Sequence, residues 1–271
     1  MKTSNDYLNH SQFVKLQSKD SFEDFRYSGK ITSECLSMLK GFVLSGTNKS
    51  LKQLDIIAEE YFLDNKTVPV FKGYFGFPSS VCMSINKELV HGIPKDYYLQ
   101  DGDMISFDTG CNYNGSITDS AITCIFGNPK SIEHINIINA TYDCLKEAIR
   151  SININNRIGV IGNTIFHTAR KKGFKIIEKY TGHGISNNCV HSDPPILNKS
   201  EINDGVRVKN GMVIAIEPLL ISNLSSTKTY VKDDGWTVIS ESPISCHFEH
   251  SILISENNVE VLTERKNEDC I

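Results

Sequence analysis

The chain is predicted to fold as an α+β protein with a mainly antiparallel sheet, and two observations lead there. Two helix-period stretches followed by short strand-like runs occur early in the chain and again after residue 130, as if two similar halves followed one another. Asn114-Gly115 between two apolar runs is the signal of a tight antiparallel hairpin.

The elements follow in order. Residues 1–19 are polar without clear periodicity, and the first 14 are read as an N-terminal extension. A single domain is expected over 15–265, followed by a polar tail over 266–271. Ser21 is expected to cap a first helix through its hydroxyl, with Phe22, Phe25, Ile31, Cys35, Leu36 and Leu39 as the apolar face. The turn cluster 45–49 leads to Ser50, which caps a second helix to about Phe62. Strands are predicted at 68–71, 81–85 and 104–107, with the hairpin returning over 117–126. The second round has helices over 131–151 and 160–172, then strands at 174–180, 212–216, 236–239, 248–254 and 259–262. Arg170-Lys171-Lys172 before Gly173 reads as a helix end, where cations complement the dipole ahead of a glycine cap.

Composition narrows the function classes. With 271 residues, 39% hydrophobic and 22% charged, the chain is an ordinary globular protein. A net charge of −4 with both signs mixed leaves no footprint for nucleic acid. The most apolar run, 212–221, is interrupted by Glu217 and Pro218, so no membrane span is expected. The first 20 residues hold no signal-peptide core, and eight scattered cysteines form no CxxC pair. Reduced thiols in the cytoplasm are therefore expected.

Four places carry chemistry. Asp108 and Asp119, whose numbers sum to 227, face each other if the turn lies at 113–114. A turn at Asn114-Gly115 pairs positions summing to 229 and leaves them diagonal on the same face. Either way, two carboxylates roughly 5–8 Å apart repel unless something compensates them, and a divalent cation with oxygen ligands is one solution. His183 lies between two glycines in Tyr180-Thr-Gly-His-Gly-Ile, a setting typical of a ligand loop. Glu217 ends the run Met-Val-Ile-Ala-Ile, and Glu249 stands inside an apolar strand, so both need a metal or a strong donor.

In this order, Asp108, Asp119, His183, Glu217 and Glu249 resemble the five metal ligands of the type I methionine aminopeptidases. Val81-Cys-Met-Ser-Ile-Asn, His91-Gly-Ile-Pro, Asp101-Gly-Asp, Gly182-His-Gly-Ile, Ile216-Glu-Pro and Phe248-Glu-His carry the same resemblance, which spans about residues 15 to 263. It implies the pseudo-twofold "pita-bread" fold. Glu217 and Glu249 stand only 32 positions apart, without room for the helical insertion of the type II enzymes. Only 107 residues precede Asp108, whereas prolidases and aminopeptidase P usually carry a whole extra domain there.

The resemblance further implies two divalent ions, drawn from Mn, Fe, Co or Zn. Asp119 and Glu249 would bridge them, Asp108 would chelate one, and His183 with Glu217 would complete the other. The ions would acidify a water held between them, with Glu217 as general base. His91 would assist the leaving amine and His191 would donate to the carbonyl oxygen. Phe71, Tyr74, Phe77, Cys82, Val190 and Trp236 would line a methionine pocket. The implied substrate is a nascent polypeptide or peptide beginning with Met and followed by a small residue. The implied protein is a monomer, and transient ribosome association is compatible with the role.

Several positions depart from the family's pattern. His191 follows His183 by eight positions where seven is usual, and the extra residue is expected to bulge outward at Asn187-Asn188. Ser186 replaces a common glycine, Val190 a bulky residue, His247 a glutamine and Phe75 a histidine. Two other readings stay open: a proline-linked peptidase on the same fold, and a metal-free binding module, which would characteristically have lost metal ligands.

Overall fold

The computed structural model describes residues 14–154, 156–256, 258–266 and 268. The expected extension, apart from Val14, and most of the expected tail lie outside the described residues. Helix α1 (Phe22–Leu44) buries Phe25, Ile31, Cys35, Leu36, Leu39 and Val43 along one stripe. Its start differs from the expectation. Ser21 already has helical torsions (φ −88°, ψ −8°), so its hydroxyl donates to the Ser18 carbonyl and caps nothing. A capping side chain needs extended backbone at that position. Ser50, by contrast, is extended and forms a full capping box with Gln53 at the start of α2 (Leu51–Asp64).

Strands β1 (Val68–Pro69), β2 (Cys82–Ile85), β3 (Glu88–Val90), β4 (Met104–Tyr113) and β5 (Ser116–Ile125) follow. β1 and β2 lie end to end along one edge of β4, and β5 takes the other edge. The β4–β5 hairpin turns on Asn114 (φ 51°) and Gly115 (φ 90°), the left-handed pair that matches strand twist.

The second round begins with α3 (Ile132–Arg150) and α4 (Gly159–Lys171), which ends on Arg170 and Lys171 before the left-handed Gly173. Then come β6 (Phe174–Ile176), β7 (Gly182–Ser186), β8 (Cys189–Ile196), β9 (Val213–Ile216) and β10 (Leu219–Ser222). The chain continues through β11 (Thr229–Val231), β12 (Val238–Ser240), β13 (Ser245–His247), β14 (His250–Ser255) and β15 (Asn258–Val261). The larger sheet runs β15-β14-β9-β7-β8, and two three-stranded sheets, β13-β10-β6 and β11-β12-β3, flank the halves. Every named strand pair is antiparallel, as expected.

Besides the β3–β12 pairing, a second seam joins the halves beside the acidic residues. Ala121 of β5 and Glu249 exchange backbone hydrogen bonds, with Glu249 N–H to Ala121 O at 3.0 Å. Beside them, the Ser251 hydroxyl bridges the backbone N–H and C=O of Asp119. The Arg265 guanidinium donates to the Ser120 hydroxyl at 2.6 Å and to the Ala121 carbonyl at 3.2 Å. That buried cation needs a counter-charge, and Glu268 supplies it at 2.5 Å while also meeting His250 Nε2 at 3.0 Å. Glu268 is itself buried. It is thus packed into the fold, within the stretch expected as a polar tail.

A second buried acid fixes the approach to β2. Asp55 of α2 accepts from the backbone N–H groups of Ser80 (3.0 Å) and Val81 (2.9 Å). Burial nevertheless pushes its carboxyl up to about 6. Because this is above the ordinary carboxylate range, ionising Asp55 costs about 3 kcal/mol of stability as pH rises from 4 through 6. Asp55→Asn keeps an acceptor oxygen for both amides and removes the charge. The variant is expected to gain Tm relative to the parent at pH 8 and to lose that advantage at pH 4; a pH-independent difference in melting would contradict this account.

Candidate active site

The β4–β5 register pairs Asp108 with Ala121 and Gly110 with Asp119, so the two aspartates are diagonal and share a face. Of the two registers open in the sequence, the Asn114-Gly115 turn selects this one. His183 stands on strand β7, not on a loop. Its glycine neighbours are not left-handed; they permit close approach of other backbone. A Cβ on Gly182 would lie 2.3 Å from Ala215 O, and one on Gly184 2.1 Å from Asp193 O. Glu217 leaves β9 just before Pro218, and Glu249 sits between β13 and β14 at the seam.

The fold brings these five side chains into one buried cluster. His183 Nε2 lies 3.7 Å from Asp119 Oδ2 and 3.8 Å from Glu217 Oε1. Ligand atoms of Asp108, Asp119 and Glu249 all lie within 4.8 Å of one another, as do those of His183, Glu217 and Glu249. Glu249 belongs to both sets. Asp108 Oδ1, Asp119 Oδ1 and Glu249 Oε1 are buried without a hydrogen-bond partner.

The electrostatics follow from that burial. Desolvation, and then the neighbouring carboxylates, hold Asp108 and Glu249 far above the ordinary carboxylate range. Burial and then Asp119 push Glu217 up to about 8. Burial, reinforced by His191, drives His183 down to about 3, which leaves a neutral imidazole with a free lone pair. Four acids that repel each other beside a neutral imidazole form a donor set that fits divalent cations.

The cluster forms the floor of a cleft of about 380 Å³. Phe71, Tyr74, Phe77, Cys82 and Trp236 line one side of it, with Phe77 and Trp236 edge to face at 5.2 Å. Val190 differs from the expectation. It is buried in the same apolar cluster but does not line the cleft. His91, in a left-handed conformation (φ 58°), meets Tyr180 edge-on at 6.0 Å. His191 also lines the cleft; its Nδ1 lies 3.0 Å from the Tyr74 hydroxyl and its ring 4.5 Å from that of His183.

The extra residue before His191 is absorbed otherwise than expected. Ser186 pairs with Cys189, so Asn187-Asn188 forms a tight hairpin turn rather than an outward bulge. Asn188 is left-handed (φ 59°), and its N–H docks on Gly115 O at 2.9 Å. Irregularities in the β7–β8 pairing at Gly182–Gly184 and Gly184–Ser186 take up the difference.

Three further neighbours were not singled out as site residues by the sequence. Tyr180 and Thr181 also line the cleft. His247 was visible only as a departure from a pattern. Its buried Nε2 points between Glu217 Oε2 (3.6 Å) and Glu249 Oε2 (4.0 Å) and lacks a hydrogen-bond partner. Alternation along β13 to Glu249 places it on the same face, a signal that could have found it.

Comparison with known proteins agrees with this geometry. Residues 23–256 match the model of metallopeptidase family M24. The chain is 37% identical over 252 residues to a methionine aminopeptidase of Mycoplasma capricolum, covering 93% of this chain and 98% of that one. Methionine aminopeptidase 1 of Bacillus subtilis is also 37% identical, over 88% of this chain and 94% of its own. The crystal structure of a methionine aminopeptidase from Thermotoga maritima superposes with a TM-score of 0.87 at 32% identity, covering 93% and 99% of the two chains. A prolidase from Pyrococcus horikoshii shares the fold alone, with a TM-score of 0.73 at 19% identity over 64% of its length. On sequence, architecture and the buried donor cluster together, the chain belongs to metallopeptidase family M24, among its methionine aminopeptidases.

Proposed function

We propose that this protein is a metal-dependent aminopeptidase that removes the initiator methionine from nascent chains and peptides with a small second residue. The observation that carries the reading is the position of the donor cluster. Five buried metal-type donors with unpartnered oxygens lie on the floor of a cleft whose side is apolar and aromatic. The slot bounded by Phe71, Phe77, Cys82 and Trp236 suits an unbranched thioether side chain, flexible and apolar.

Asp108, Asp119, His183, Glu217 and Glu249 would hold two divalent ions, with Mn, Fe, Co and Zn all compatible with a carboxylate–imidazole set. When bound, such a pair supplies an acidified water and a Lewis acid for the scissile carbonyl. The chain's own groups do the rest. Glu217 takes the proton from the attacking water. His191, oriented by the Tyr74 hydroxyl, donates to the carbonyl oxygen as negative charge develops there. His91, which burial keeps neutral, faces the leaving amine. The apolar side chains hold the first residue and exclude water.

The cytoplasm suits the cysteine state, since all seven described cysteines are free and six are buried. No helix among the described residues is long and apolar enough to cross a membrane. We read the protein as a monomer whose substrates are methionine-started chains, met transiently at the ribosome.

Four outcomes test this. Metal-depleted protein should not cleave Met-Ala-Ser, and added Mn or Co should restore cleavage; full turnover after chelation removes the metalloenzyme reading. Faster release from Ala-Pro dipeptides than from Met-Ala-Ser would favour the proline-linked alternative. Because burial and mutual repulsion raise these carboxyls in the metal-free site, loading should release protons. Calorimetry at pH 7 in buffers of differing ionisation enthalpy reads this directly, and buffer-independent heats would contradict it. Removing one oxyanion donor by His191→Ala should lower kcat on the order of 10–1000-fold with little change in metal content. Unchanged turnover would take His191 out of the mechanism.

A further inference from the structure

The loop that supplies the apolar wall contains an unusual backbone. Between Gly73 (φ 86°) and Gly76 (φ 87°), Phe75 adopts φ 47°, ψ 24°, a left-handed conformation that bulky side chains rarely take. Glycine or asparagine would occupy it at lower cost. Hydrogen bonds lock the turn: Tyr74 N–H to Phe71 O (2.9 Å), Gly76 N–H to Gly73 O (3.1 Å), Phe77 N–H to Tyr74 O (2.9 Å) and Gly73 N–H to Phe77 O (2.8 Å).

This arrangement brings the Phe75 side chain no burial in return. It is 85% exposed, whereas Phe71 and Phe77 in the same loop are 7% and 4% exposed. It nevertheless borders the cleft and stands edge-on to Tyr74 at 4.7 Å. A strained, rigidly held, solvent-facing aromatic at a cleft has no packing role that explains it. A backbone outlier held in place at a cleft points to a functional contact.

Its position identifies the part of the ligand concerned. Here the argument rests on the reading above, with the first side chain in the apolar slot and the scissile carbonyl beside His191. The rest of the peptide must leave by the open side of the cleft, where His191 and Phe75 are both exposed. The His191 ring lies 5.2 Å from that of Tyr74, and the Tyr74 ring 4.7 Å from that of Phe75. An extended chain advances roughly 3.3 Å per residue and alternates its side chains between faces. The third residue is therefore the one whose side chain comes within reach of the ring.

We propose that Phe75 is a specificity-determining residue for the third position of the substrate, giving preference to large apolar side chains there. The ring provides apolar surface that a leucine or phenylalanine side chain covers and a serine does not.

The test compares kcat/KM for Met-Ala-Leu-Ser and Met-Ala-Ser-Ser on the metal-loaded enzyme. The unaltered protein should favour the leucine peptide by about 5–10-fold, the effect of one partly buried apolar contact. In Phe75→Gly and Phe75→Asn, which both suit the left-handed torsion, the ratio should fall to within about twofold of unity, mainly through slower cleavage of the leucine peptide. Tm should not fall in Phe75→Gly, since the strain is relieved. Cleavage of both peptides at equal rates by the unaltered protein overturns the proposal and leaves the aminopeptidase reading intact. A ratio that survives in both variants also overturns it. Failure to cleave either peptide with metal restored sinks the underlying activity, and this proposal with it.

Discussion

Four acidic side chains packed into one buried site are the constraint around which this protein is arranged. Desolvation alone disfavours their ionised forms, and their mutual repulsion adds to it. Asp108 Oδ1, Asp119 Oδ1 and Glu249 Oε1 find no hydrogen-bond donor among the described residues. A rigid frame must therefore hold the four acids together whether or not cations are bound. The seam between Ala121 and Glu249 is that frame, and it lies at the backbone of one of the acids.

The frame explains why residues far apart in the chain converge there. Ser251 ties the Asp119 backbone, Thr123 meets His247, and Arg265 reaches the carbonyl at Ala121. Arg265 acts in two ways. Its guanidinium satisfies carbonyl groups at the seam, and its charge partly offsets the repulsion on Glu249. Burying that cation requires Glu268, so the last described residues are structural parts of the site.

Above the floor, the two walls of the cleft have different character. One is made of aromatic and sulfur-bearing side chains, tightly packed around Phe77 and Trp236. The other carries His91 and Tyr180. His191 links the aromatic side chains to the acidic floor through its contacts with Tyr74 and His183.

Much of this was legible in the sequence, because the signals concerned are local. The capping box at Ser50, the hairpin at Asn114-Gly115 and the periodic faces of α1 and α3 depend on neighbours within a few residues. Glu217 and Glu249 were visible because a charged residue inside an apolar run demands an explanation, Asp108 and Asp119 through the hairpin, and His183 through its flanking glycines. What the sequence left open are matters of register and long-range contact. The diagonal placement of Asp108 and Asp119 depended on which of two turns the hairpin chose. β7 and β8 escaped detection because glycines, prolines and asparagines mask strand periodicity, and only close packing against Ala215 and Asp193 shows why glycine is needed beside His183. The burial of Glu268 under a polar-looking tail, the withdrawal of Val190 behind the cleft and the aim of His247 between two glutamates likewise belong to tertiary structure. Each depends on what a distant segment brings alongside, and no local pattern records that.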